Sequence, residues 1–319
     1  MKTKLVGMKT GKGASKEFTM LIVLLIMMII CVIINPVFIS VSNIMNLLAQ
    51  NSIIGVMALG MVFALVTGSF DMSVSSTGAL TAVISTQLFI KFGLLPGIIG
   101  GLLVGAAVGT INGLLVTKVG INPFVTTLGT QTSVRGLVYI ITGAEPITGV
   151  PVDYNFIGMG KIGDVLPVPA LIWLVLAVIM AFVLKKTKFG QYIYATGGSR
   201  KAAWLSGINT DMIRIQALVI SGVFASIGGL IYTLRILMCT ADGMTGYELK
   251  VMSACIVGGT SLDGGKGTIV GCIIGTFIMG IILNILQLAG VSSFWQDAIT
   301  GIILIAAVGI DSLTARHRE

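Results

Sequence analysis

The stretch "VTGSFDMSVSSTGAL", residues 66–80, sets Asp71 among Gly68, Ser69, Ser73, Ser75 and Ser76, directly before an apolar run. A carboxylate and hydroxyls in that place can cap the free N–H groups at the start of a helix. They can also offer hydrogen bonds to a polar solute. Two readings stay open: a capped loop at the membrane interface, or the end of a half-helix on a permeation pathway. A second polar set lies in "NPFVTTLGTQTSVRG", residues 122–136. Thr127, Gln131 and Arg135 stand four apart, and Asn122, Thr126 and Thr130 form a parallel row. Asn46 and Gln50 are also four apart, with Asn51 adjoining. Lipid rejects such faces, so they look into a bundle. There they line a path for a polar solute, or they bond helix to helix with Arg135 on a carbonyl or an acid.

None of this is a catalytic constellation. The single histidine, His317, stands in the C-terminal tail, and no cofactor or metal motif is present. Cys31, Cys239, Cys255 and Cys272 lie in or beside apolar runs at no metal-ligand spacing, so they read as small apolar fillers. "GGTSLDGGKGT", residues 258–268, imitates a phosphate loop and fails: Thr260 takes the place of its first glycine and Gly267 follows Lys266. It reads as a tight turn.

The elements that must position these residues are membrane helices. Of 319 residues 55% are hydrophobic and 10% charged. Apolar runs of about 20 residues, enough to cross a bilayer core, recur along the chain. The runs are continuous, which suits helices and excludes the alternating strands of a barrel. We expect an all-α polytopic membrane protein, one transmembrane domain over residues 1–319. Its ten spans lie near 18–35, 44–66, 74–91, 94–117, 122–143, 165–184, 212–235, 247–260, 268–289 and 294–312. The eighth is short and reads as broken or partly re-entrant. The basic N-terminus, residues 1–17, precedes an apolar run with no small-residue cleavage site after it, so the run is expected to remain as the first span.

With the N-terminus inside, fifteen lysines and arginines fall on the cytoplasmic side and four (Lys91, Lys161, Arg235 and Lys250) on the other. That asymmetry places both termini in the cytoplasm. It also accounts for the net charge of +8 as an orientation signal, with no nucleic acid among the partners. Glycines hint at an inverted repeat. Gly101, Gly105 and Gly109 correspond at one constant offset to Gly267, Gly271 and Gly275, on spans expected to run in opposite directions.

One insert is out of character: "GQYIYATGGSRKAAWLSGINTD", residues 190–211, within the expected cytoplasmic loop 185–211. Ser199 can cap a helix from Arg200 to Ser206, and Gly207 can end it. Ala202 and Ala203 give this helix a small face, Trp204 and Leu205 an apolar one. It either floats on membrane lipid headgroups or docks a cytoplasmic partner.

These residues resemble a family. "FGQYIYATGGSRKAAWLSGIN" is similar to the cytoplasmic segment of the permease subunits of ribose-type sugar ABC importers. In the same order follow resemblances in "GSFDMSVSS", "NPFVTTLGTQTSVRGL", "GYELKVMSACIVGGTSLDGGKGT" and "GVSSFWQDAITGIILI", covering about residues 40–312. The resemblance implies a bacterial inner-membrane permease that pairs with a second copy or a paralogue. It implies two cytoplasmic ATP-binding subunits and an extracytoplasmic sugar-binding protein as partners. It makes the helix carrying Ser199, Arg200, Ala202, Ala203, Leu205 and Gly207 the coupling helix, and it leaves ATP chemistry to the partner. The solute path is expected along Asn46, Gln50, Asn51, Asp71, Thr127 and Gln131, and the solute is a pentose, hexose or polyol. The sequence departs from the family pattern at Phe70 and Met72, which flank Asp71 where isoleucine and leucine are usual. It departs also at Ser75, where glycine is usual, at Lys250, and in "RILMCTADGMT", residues 235–245. These bear on the solute more than on the fold. An ATP-independent transporter or channel, and a nucleoside-importing relative, are the alternatives. The charge asymmetry makes one direct prediction. A reporter active only outside the cell is expected to signal when fused near Gly149 and to stay silent near Gly198; the opposite pattern overturns the span order.

Overall fold

The computed structural model describes residues 11–163 and 165–316. His317 and the first ten residues of the basic N-terminus lie outside the described residues. The helices are α1 (Gly11–Ile34), α2 (Val41–Val66), α3 (Val74–Phe92), α4 (Leu94–Leu114), α5 (Pro123–Thr142), α6 (Asn155–Met159) and α7 (Val168–Lys186). There follow α8 (Lys188–Gly198), α9 (Arg200–Leu205), α10 (Thr210–Ile236), α11 (Tyr247–Val257), α12 (Ile269–Leu288) and α13 (Ser293–Arg316). Among the described residues the β structure is two small antiparallel pairs, one of which joins Ile147–Thr148 to Met238–Cys239.

A helix lies on each of the ten expected segments. Among the described residues, six stretches are long and apolar enough to cross a membrane: Glu17–Ile34, Val41–Val66, Leu94–Val119, Val168–Lys186, Thr210–Ile236 and Ile269–Leu288. The eighth segment is the shortest. α11 has 11 residues, about 16 Å of helix, roughly half of a bilayer core. The insert at 185–211 departs from expectation, because α8 precedes the expected short helix. α8 is amphipathic: Ile193 is buried, and Phe189 stacks on Phe63 of α2 with ring centroids 6.3 Å apart.

α2 is the axis of the bundle. Every residue from Asn51 to Val66 is buried. It packs against α10, α7, α12 and α11, and small residues allow this crowding. At Gly55 the indole of Trp173 from α7 occupies the space of a side chain, and that indole in turn packs on Phe277 of α12 at 5.2 Å. α10 packs on α2, α4 and α3. α3 also packs on α4 and α5, and α11 on α12 and α13.

The two glycine rows do what their spacing suggested, each admitting a neighbouring backbone. On α4, Gly105 faces the main chain of Gly222 of α10, and a Cβ at Gly109 would stand 2.5 Å from the Leu218 carbonyl oxygen. On α12, Gly271 and Gly275 face Gly258 and the Ala254 carbonyl at the end of α11. Gly267 differs: it precedes Thr268, the N-cap of α12, and so belongs to the turn rather than the helix.

The α4–α10 contact gives a prediction. Gly222→Leu forces these helices apart, and overpacking of this kind costs about 1–3 kcal/mol or more. A lower melting temperature in detergent is expected. Gly129→Ala, where a Cβ meets open space within α5, is expected to hold or raise it. Equal melting of the two variants would mean that the contact is not close.

Candidate solute groove and coupling surface

Between α2 and α3 the chain leaves the helix without leaving the protein. Ser69, Asp71 and Ser73 are all buried, Asp71 at 2% exposure. Asp71 Oδ1 accepts from Ser73 N–H at 3.1 Å and from Ser73 Oγ at 2.6 Å. The carboxylate therefore closes the turn that leads into α3. Ser73 Oγ receives Asn112 Nδ2 of α4 at 2.9 Å, and Asn112 Oδ1 receives Thr130 Oγ1 of α5 at 2.7 Å. Met72 N–H donates to Thr127 Oγ1 at 3.1 Å, and Arg214 Nε of α10 donates to Ser69 Oγ at 3.2 Å. These bonds together tie the break to α4, α5 and α10.

A second break joins α10 to α11. Leu237 turns the chain with φ +55°, and Cys239, Ala241 and Met244 are buried. Arg135 of α5 donates through Nη1 to the Ala241 carbonyl at 3.0 Å and to the Gly243 carbonyl at 2.8 Å. Of the two roles left open for this arginine, the structure shows the carbonyl partner. Lys250, near the same end, pairs with Asp297 of α13 at 3.1 Å.

Along α5, between the two breaks, runs a groove of about 380 Å³, with Leu128 among its lining residues. Gln131, Thr132, Arg135 and Tyr139 of α5 line it, with Ser75 from the first turn of α3 and Glu248 from the first turn of α11. Of the six residues expected on a solute path, Gln131 is the one in this groove. Asn46 and Gln50 are exposed on the first half of α2. Asn51 is buried against Gly280 of α12, and Asp71 and Thr127 are enclosed in the network just described. Glu248 escaped the sequence reading. The signal that could have found it is its place in the first turn of a helix that opens after a glycine-rich break, as Ser75 does.

At the end of the molecule where α10 begins, α8 and α9 form a compact pair. Ser199 caps α9, accepting Ala202 N–H at 3.3 Å, and Gly207 ends it at φ +83°. Ala203 departs from expectation. It is 4% exposed and faces the protein, because the next turn folds under α9: Ile208 N–H donates to the Ala203 carbonyl at 3.1 Å. The outward apolar face is Trp204 at 66% and Leu205 at 69% exposure, with Ala202 also exposed. Beside it a cleft of about 820 Å³ is lined by Lys118, Arg200, Lys201, Trp204, Asn209 and Asp211. Arg200 pairs with Asp211 at 2.7 Å.

This helix pair is joined to the first break through main-chain atoms. Gly197 of α8 lies against the Val66 carbonyl and Gly265, and Gly265 N–H donates to that carbonyl at 2.8 Å. Tyr194 donates its hydroxyl to the Gly267 carbonyl at 2.6 Å. Burial pushes the Tyr194 phenol up to about 12, so the donor keeps its proton at any physiological pH.

Comparison with known proteins follows this geometry. The family described as branched-chain amino acid transport system / permease component matches residues 43–308. The ribose import permease protein RbsC of Bacillus subtilis (strain 168) is 40% identical over 293 residues, covering 90% of each chain. RbsC of Escherichia coli (strain K12) is 36% identical over 296 residues, 92% of each. The D-allose transport system permease protein AlsC of the same strain is 35% identical over 282 residues, 88% of this chain and 86% of its own. No solved structure matches significantly. A match over nearly the whole length, on a bundle of apolar helices with buried chain breaks, leaves one assignment: the chain belongs to this family of membrane permease components, alongside the ribose and D-allose permeases.

Proposed function

We propose that this chain is the membrane-spanning subunit of an ATP-driven importer of a monosaccharide or a close relative such as a polyol. The observation that carries this reading is the similarity to sugar import permeases along nearly the whole chain. The groove beside α5 supports it chemically, because amide, hydroxyl and carboxylate groups suit a polyhydroxylated solute better than the apolar side chain of a branched-chain amino acid. In this reading the protein is one domain of ten spans in the bacterial inner membrane, with both termini cytoplasmic. It pairs with a second permease, two ATP-binding subunits and an extracytoplasmic sugar-binding protein.

An inverted repeat fits the packing. Exchanging α2 with α10, α3 with α11, α4 with α12 and α5 with α13 maps neighbours onto neighbours. α3 on α4 and α5 becomes α11 on α12 and α13, and α10 on α3 and α4 becomes α2 on α11 and α12. Each half also has its chain break before a helix that opens onto the groove. Such paired breaks at a repeat interface are where transporters place their solutes.

The α8–α9 pair is the coupling element of this reading. Trp204 and Leu205 are too exposed for a water-facing surface without a partner. In this reading the ATPase contact lies on Ala202, Trp204 and Leu205, with Ser199 and Gly207 fixing the helix and Arg200 flanking it; lipid headgroups are the other surface that could cover them. Ala203 acts from inside, as packing. Leu205→Glu is expected to leave membrane insertion intact. Placing an unpaired carboxylate in a desolvated contact costs about 3 kcal/mol, roughly a hundredfold in affinity. Pull-down of the ATPase from solubilised membranes and uptake into vesicles should both be lost. Full recovery of the ATPase with Leu205→Glu would move the docking face elsewhere, and native membranes that yield no ATPase would favour an ATP-independent carrier.

A further inference from the structure

Two oxygens in the groove beside α5 lack partners. Ser75 Oγ is buried, its residue fully enclosed, and makes no hydrogen bond; Glu248 Oε2 is likewise buried and unbonded. Leaving a buried polar atom unpaired is destabilising, more so for a charged group. A natural structure carries such atoms where something else completes them. Both line the same groove and come from different elements, Ser75 from the start of α3 and Glu248 from the start of α11. The place of Glu248 in a first helical turn accounts for its charge there, since an N-terminus favours an anion. It does not supply a donor to Oε2. Arg135 does not do so either: its Nη1 is committed to two carbonyls, and among the described residues no ion pair joins it to Glu248.

We propose that this groove is a hydroxyl-recognising site on the solute path, with Ser75 Oγ and Glu248 Oε2 as its two contacts and Gln131 between them. An ionised carboxylate only accepts hydrogen bonds, and a hydroxyl both donates and accepts. A solute that satisfies both must present several O–H groups, which describes a neutral sugar or polyol. Both oxygens are closed to solvent in this conformation. They meet solute when the groove wall, α5, draws back as one half of the bundle rocks against the other. The site makes the permease a selective surface in its own right, beyond the choice made by a binding protein.

This proposal rests on the importer reading, and its test separates the two. Vesicles carrying the assembled importer are given labelled D-ribose, D-allose or D-galactose, and sugar moved per ATP hydrolysed is measured for the native protein, Ser75→Ala and Glu248→Gln. The expected result is a drop of about tenfold in that ratio for each variant, in line with loss of one hydrogen bond. Ser75→Ala removes an unsatisfied buried hydroxyl, so its melting temperature should hold or rise. A transport defect in a protein that is no less stable is not explained by packing. A ratio within twofold of the native value for both variants overturns the site. Should Ser75→Ala melt lower, Glu248→Gln alone decides. Native vesicles that move none of the three sugars overturn the monosaccharide reading, and the site with it.

Discussion

Everything in this molecule depends on the rule that a backbone polar group inside a bilayer must find a partner within the protein. Continuous helices satisfy it for most of the chain. The segments at 67–73 and 237–246 leave the helix, and each then needs donors and acceptors from its neighbours. Each is held by a cation from another helix: Arg214 on the Ser69 hydroxyl, and Arg135 on the carbonyls of Ala241 and Gly243. Further bonds come from Asn112 of α4, itself held by Thr130, and from Thr127 of α5, and others are made within the breaks and to the strand at Ile147–Thr148. The polar residues of this apolar chain are therefore mainly the cost of two interruptions, and the groove lies where those interruptions meet α5.

That constraint explains the crowding around α2 and α10. Helices that carry the breaks must bring their neighbours close enough for side chains as short as serine and threonine to reach a backbone. The small residues of α4 and α10 permit it, with Gly105 against Gly222 as the tightest point along their crossing. Packing in lipid gains little from the hydrophobic effect between helices, so close van der Waals contact and these hydrogen bonds hold the bundle together.

Much of this was legible in the sequence, for reasons that differ by residue. Ser199 and Gly207 were read correctly as cap and stop because a cap is a local event, decided within four residues. The glycine rows announced close helix contacts because their spacing is a property of a single helix; which helix came close was not written there. Asp71, Thr127 and Asn51 show the harder limit. Asn46 and Gln50 lie exposed on α2, while a buried polar residue can bond the protein or line a path, and both call for the same residue types. Composition cannot separate them; geometry placed all three in the interior and left Gln131 in the groove. Ala203 was hidden for a related reason. In a helix of six residues, the side that turns inward is set by the turn after it and by the bundle beneath. Ser75 was in view beside Asp71 and Glu248 was not, but that both lack partners in one groove needs coordinates.

The junction of Gly197, the Val66 carbonyl and Gly265 is built almost wholly from main-chain atoms. Side-chain substitution has no graded means of adjusting it. At Gly197 any added carbon collides with backbone, and Val66 contributes an oxygen that every amino acid has. Such a contact is inherited whole or lost whole, and it gives evolution no intermediate settings. The exposed pair Trp204 and Leu205 is the opposite: its atoms are side chain, and each exchange changes the fit by a small step. Lineages that acquire a different partner subunit will record the change at α9, while the link beneath it stays as it was.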